Sequence, residues 1–97
     1  MAYGYVIVQV DVQDAAKFEE YRAQVPATIK QYGGEYLVRG GQFEKLEGAE
    51  PLGRMVVLRF PSYEQAKAWY HSDEYKGPMA LRHAASRANA ILVEGVE

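Results

Sequence analysis

The sequence predicts an α+β fold in which four strands form one antiparallel sheet and the helices cover only one of its faces. Three observations predict it. Apolar runs and amphipathic helical patterns follow one another in the order β-α-β-β-α-β. The strand runs are greasy on both sides: in Tyr3-Gly4-Tyr5-Val6-Ile7-Val8-Gln9-Val10, Val6, Val8 and Val10 line one side and Tyr3, Tyr5 and Ile7 the other. Side chains alternate along a strand, so each face needs its own apolar cover. Finally, 97 residues make one domain, residues 1–97, too short to build a helical layer on both faces. A second copy of the chain is expected to cover the bare side.

Each element has a local reason. The first strand runs into Asp11 to Asp14, where Asp14 is placed to cap a helix through its carboxylate. Phe18, Tyr21, Val25, Ile29 and Tyr32 then recur at spacings of three and four, which marks one buried stripe. Pro26 inside that pattern should remove one hydrogen bond and bend the helix. Gly33-Gly34 should end it, since the left-handed residue after a helix is best supplied by glycine. A strand is expected at Glu35-Tyr36-Leu37-Val38-Arg39, a bulge or bend at Gly40-Gly41, and a weaker alternation through Phe43 to Leu46. Glu47 to Gly53 reads as a loop, and Arg54 to Phe60 is the strongest strand pattern in the chain.

Ser62, with Gln65 three residues on, matches a capping box and starts the second helix. Ala66, Trp69 and Tyr70 form its apolar face. Ser72 is placed to cap a short turn through Tyr75. Gly77-Pro78 then reads as the restart of a helix reaching about Arg87, since proline suits the first helical position. Ala90 to Val93 reads as the last strand. This order is that of a ferredoxin-like split βαβ sandwich. Right-handed crossovers put both helices on one side. Strict alternation assigns Tyr5, Ile7, Leu37, Arg39, Met55, Val57 and Arg59 to the other, where two sheets packed about a twofold axis would enclose a dimeric α+β barrel.

Composition excludes several function classes. A net charge of −2 with acidic and basic residues interspersed leaves no basic stripe for nucleic acid. Without cysteine, thiolate nucleophiles, disulfides and Cys-ligated zinc are out. No apolar run approaches the roughly 20 residues that span a bilayer. The start Met-Ala-Tyr-Gly-Tyr-Val lacks a cationic leader, so a cytoplasmic location is expected. His71 and His83 are not at i, i+4 spacing, and neither a phosphate loop nor a nucleophile elbow is present, so no metal and no cofactor is expected.

Several strings carry more than periodicity: Gly33-Gly34-Glu35-Tyr36-Leu37-Val38-Arg39-Gly40-Gly41, Leu46-Glu47-Gly48, Arg54 through Ser62, then Ala66, Trp69-Tyr70, Ser72, Glu74-Tyr75 and Ile91 to Gly95. In this ordered combination the chain resembles the bacterial family of domains of unknown function numbered 1330, within the dimeric α+β barrel superfamily. The resemblance spans essentially the whole chain and implies the fold and a homodimer. It implies no reaction, since the family has none assigned. The superfamily's cofactor-free monooxygenases, isomerases and haem enzymes are analogies of fold.

The candidate site residues are Arg39, Glu47, Arg54, Ser72, Tyr75 and Arg82. Arginines facing an interior need an anion. Either Glu47 supplies it, with Glu35 or Glu94 as alternatives, and the group ties down the bend at Gly40-Gly41, or a guanidinium is left for a substrate carboxylate, which its fork matches in bidentate fashion. Arg82 falls where the resembled family carries an arginine. Ser72, Tyr75 and Arg82 either cap a helix and dress the core edge or rim a pocket of apolar walls and convergent polar groups. These features point to a dimer binding a small anionic organic ligand, with cofactor-independent catalysis on an organic acid as its extension. The competing readings are a non-catalytic dimeric module whose arginines are structural ties, and a haem binder.

Overall fold

The computed structural model describes residues 2–96. Its elements are β1 (Gly4–Val12), α1 (Ala15–Gln31), β2 (Glu35–Arg39), β3 (Arg54–Phe60), α2 (Tyr63–Tyr70), α3 (Asp73–Ala85) and β4 (Ser86–Glu94). The Asp14 carboxylate caps α1, accepting from the Lys17 N–H at 3.1 Å. At the other end Gly33 takes a φ of +77°. The Gly33 and Gly34 N–H groups reach back to the carbonyls of Lys30 and Ile29 at 3.0 and 2.9 Å. That is the Schellman pattern, which satisfies the last carbonyls of the helix. Pro26 sits inside α1 without dividing it. Ser62 caps α2 by accepting from the Gln65 N–H at 3.0 Å.

Three local expectations are corrected. α3 does not restart at Pro78; it runs unbroken from Asp73 through Gly77 and Pro78. The Ser72 cap starts the helix before the proline is reached. The missing N–H of Pro78 then costs only its bond to the Glu74 carbonyl, while the ring itself is buried. β4 begins at Ser86, directly after α3, rather than at Ala90. Arg87, Ala88 and Asn89 carry little apolar signal, yet their backbone pairs with β1 out to Val12↔Ser86. Phe43 to Leu46 form no strand; residues 41–50 are an exposed part of the long connection between β2 and β3.

The sheet order is β2-β3-β1-β4, with every neighbouring pair antiparallel. Val6 and Val10 of β1 and Leu58 and Phe60 of β3 point to the helices. There Val6, Leu58 and Phe60 meet Val25 and Ile29 of α1, Trp69 of α2 and Tyr75 of α3, while Val10 packs with Phe18 of α1 and Ala85 of α3. The opposite side carries the register partners Tyr5↔Arg59, Ile7↔Val57 and Ile7↔Ile91. Ile91, at 60% exposed, and Val93, at 41%, stand open there. Among the described residues no helix is long and apolar enough to cross a membrane.

One irregularity decides where the site lies. β2 pairs Tyr36 with Leu58 but Val38 with Val57, so one extra residue is inserted at Leu37. A bulge of this kind shifts the alternation of everything after it by one step. Arg39 therefore stands opposite Val56, on the helix-facing side, and not on the bare side that strict alternation assigns. Arg59 does face the bare side, where it is paired with Glu35.

Candidate functional site

With Arg39 turned inward, four arginines from four elements converge on one cleft between the sheet and the helices. Arg54 opens β3 opposite Val10, which fixes it to the helix-facing side. Its guanidinium rests on Gly40: a side-chain carbon there would come within 2.5 Å of the Arg54 Nη2. Gly40 also has a φ of +70°, so the position asks for glycine twice over. The Arg39 guanidinium lies over the Tyr36 ring, 4.5 Å from its centroid, a cation–π contact that holds an otherwise exposed side chain. Arg22 reaches the cleft from α1 and is paired with Glu19 at 2.9 Å.

Arg82 is the unusual member. It comes from the last turns of α3 and is only 5% exposed. Its Nε donates to the Tyr75 hydroxyl at 3.3 Å, and its Nη2 lies 3.5 Å from a His83 ring nitrogen, the outer limit of a hydrogen bond. The Tyr75 and Tyr21 hydroxyls are 3.0 Å apart. The chain Tyr21–Tyr75–Arg82 thus links α1 to α3 along the cleft. Burial, and then the neighbouring Tyr75, push the Tyr21 hydroxyl far above the ordinary phenol range, so it stays neutral. Burial also raises Tyr36, against the opposing pull of Arg39. Trp69 stacks on Tyr75 with ring centroids 4.2 Å apart, and its Nε1 donates to Thr28 Oγ1 at 3.0 Å.

The electrostatics are one-sided. Among the described residues, those lining the cleft include no aspartate and no glutamate. Among the described residues the ion pairs are Arg22–Glu19, Lys45–Glu50, Arg59–Glu35 and Arg87–Asp11. Arg39, Arg54 and Arg82 have no carboxylate partner among them. The remaining wall is apolar, including Val8, Val56 and Leu58. The cavity volume is about 50 Å³. A second recess of about 240 Å³, between the end of α2 and β4, is larger but contains no arginine or lysine. The chemistry therefore favours the smaller site.

Of the residues singled out from sequence, Arg39, Arg54, Tyr75 and Arg82 come together here. Glu47 does not: it is exposed on the β2–β3 connection and pairs with neither Arg39 nor Arg54 among the described residues. Ser72 is also outside the lining. Its hydroxyl accepts from the Tyr75 N–H at 3.2 Å and donates to the Trp69 carbonyl at 2.7 Å, so it fixes Tyr75 through the backbone. Tyr21, Arg22, Tyr36 and Tyr70 line the cleft although sequence patterning did not single them out as site residues. Tyr21 reads as ordinary core stripe, and the one available signal is that a charged Arg22 sits at the edge of that stripe. Among the described residues no group of three metal-ligating side chains is assembled, and both His71 and His83 are exposed.

Solved structures of similar shape share little sequence. A Rhodopseudomonas palustris protein of unknown function superposes with a TM-score of 0.77 at 15% identity, over 99% of this chain and 84% of its own. A candidate antibiotic biosynthesis monooxygenase from Caulobacter crescentus gives 0.64 at 22% identity, covering 99% and 91%. SnoaB, a cofactor-independent oxygenase from Streptomyces nogalater, gives 0.59 at 13% identity, covering 99% and 94%. Likeness at this level establishes the fold. A search of curated proteins finds no match. The family model described as Domain of unknown function (DUF1330) matches residues 3–96, and the chain belongs to that family.

Proposed function

We propose that the protein is a homodimer that binds a small anionic organic acid in the cleft between sheet and helices of each protomer. The observation that carries this reading is the cleft itself: three guanidinium groups that have no carboxylate partner among the described residues, set in an apolar wall. Unpaired cations in a partly desolvated site are costly to hold, and an incoming carboxylate relieves that cost with charge-assisted hydrogen bonds. Tyr75 adds a hydroxyl whose oxygen accepts from Arg82, leaving its proton for Tyr21 or for a bound anion.

The dimer accounts for the other face of the sheet. Tyr3, Val38, Ile91 and Val93 are exposed there in one protomer. A contiguous apolar sheet face of this kind is a marker of association. A second copy of the same face would meet no uncompensated charge, because Arg59 with Glu35 and Arg87 with Asp11 already neutralise one another within each chain. The same reading takes residues 1–97 as one domain of the bacterial cytoplasm.

A thermal-shift screen with small aromatic and aliphatic carboxylates tests the ligand. An acid at a hundredfold excess over its Kd should stabilise by about 2.7 kcal/mol, and Arg54→Ala should diminish that gain. If every stabilising acid acts equally on Arg39→Ala, Arg54→Ala and the parent protein, the cleft is not the site. Two proteins of this fold are named for oxygenase chemistry. Oxygen uptake with the stabilising acids is therefore the first activity to measure.

A further inference from the structure

We propose that the ligand is a slim aliphatic dicarboxylate. Its inner carboxylate would sit on Arg82 and Tyr75, and its outer carboxylate would be held at the mouth by Arg39 and Arg54. This rests on the acid-binding reading of the cleft and names its substrate class.

The charge count comes first. A monocarboxylate would neutralise one guanidinium and leave two unpaired around the same cleft, where a second anionic group gains further charge-assisted hydrogen bonds. Depth comes second. Arg82 is nearly fully buried, Arg54 is half-buried and Arg39 is exposed. The cleft therefore has a cationic floor and a cationic mouth, and one compact anion cannot serve both. Size comes third. A cavity of about 50 Å³ is roughly a third of the 150 Å³ that accommodates benzene in an apolar protein cavity. Only the inner carboxylate and the first methylenes of a linear chain need enter such a space, with the outer carboxylate at the open mouth, whereas an aromatic ring would have to displace its walls. The hydroxyl chain completes the floor. The Tyr21–Tyr75 hydrogen bond can run in either direction; in the arrangement where Tyr21 donates to the oxygen that also accepts from Arg82, the Tyr75 proton is free for the inner carboxylate.

Calorimetric titration at low ionic strength compares adipate with its monomethyl ester, the succinate-to-suberate series, phthalate and inorganic phosphate. The expected result is an optimum chain length at which the diacid binds at least tenfold more tightly than its monoester. Arg54→Ala should erase that advantage while weakening the monoester far less. Equal affinity of diacid and monoester, equal weakening of both by Arg54→Ala, tighter binding of phthalate, or tighter binding of phosphate overturns the proposal. If the monoester binds without a diacid advantage, only this inference falls. If no carboxylic acid binds at all, the acid-binding reading falls with it.

Discussion

Replacing Arg82 with methionine separates a functional arginine from a structural one by the sign of a stability change. Removing a guanidinium from water costs several kcal/mol even after relaxation, and a buried charge is retained for stability only if its partners return that cost. Here the return is small. Arg82 is 5% exposed, and its contacts are one hydrogen bond to a neutral hydroxyl at 3.3 Å and a 3.5 Å approach to His83. A well-formed hydrogen bond to a charged group contributes about 1.5–3 kcal/mol, and 3.3 Å is longer than the best geometry. Methionine keeps the length of the side chain and its apolar stem, adapts to irregular space, and leaves Tyr75 its contact with Tyr21. Arg82→Met should therefore be neutral to stabilising. A gain of about 1 kcal/mol raises Tm by about 4–8 °C in a domain of this size. Binding of carboxylic acids should be lost in the same variant. Calorimetric melting at fixed protein concentration, since dimers melt by mass action, gives the answer. A Tm lowered by 5 °C or more would show that Arg82 is a structural pin and that its unpaired state misleads.

Gly40→Ala should cost about 1–2 kcal/mol through its left-handed backbone; because its methyl group displaces the Arg54 guanidinium, it should also weaken diacid binding, which titration checks. Trp69 is the only tryptophan in the chain, is 2% exposed and is stacked on Tyr75. Its emission should be blue-shifted and should change in intensity when an acid enters, and a ligand that binds without altering it lies elsewhere. The stability contributed by Tyr21 should be fully present below about pH 10, the ordinary phenol pKa, and should fall as pH rises above it. The unfolded chain then loses a proton that the folded chain keeps. Urea midpoints from pH 8 to 11 should show this decline, and Tyr21→Phe should flatten it; an unchanged slope refutes the assignment. Ile91→Lys should convert the proposed dimer to a monomer in sedimentation velocity with an unchanged far-UV spectrum.

The division between what the sequence made legible and what it hid follows from how local each signal is. Asp14, Gly33, Ser62 and the three- and four-residue spacing from Phe18 to Ile29 act within a single turn, so α1 and the start of α2 could be read directly. Ser72 was legible as a cap, but Gly77-Pro78 masked the length of α3, because a proline tolerated in the second turn looks like one that begins a helix. The bulge at Leu37 was illegible for a different reason. Gly40-Gly41 announced irregularity three residues too late, and only pairing with β3 reveals that the extra residue precedes Arg39. That one-residue slip moved the most informative arginine across the sheet. Glu47 failed because nearness in sequence stood in for nearness in space along a 14-residue connection between Arg39 and Arg54.

The slip also changes what the proposed dimer would be for. With Arg39 on the bare side, ligand and partner would have competed for one interior, and monomerisation would have destroyed the site. With Arg39 beside Arg54 on the helix side, the proposed function divides the work between the two faces: Tyr5, Ile7, Val57 and Ile91 lie on the face assigned to the proposed partner, while Val8, Val56 and the arginines line the cleft assigned to the proposed ligand. The long exposed connection, with Phe43 and Leu46 open to solvent, leaves the sheet directly after Arg39 and returns at Arg54, so it adjoins both. A monomeric Ile91→Lys protein should consequently bind the same acid with a Kd within a factor of two of the parent. If its affinity collapses while its fold persists, the mouth of the cleft is completed by the second subunit, and this connection is where that contact is to be sought.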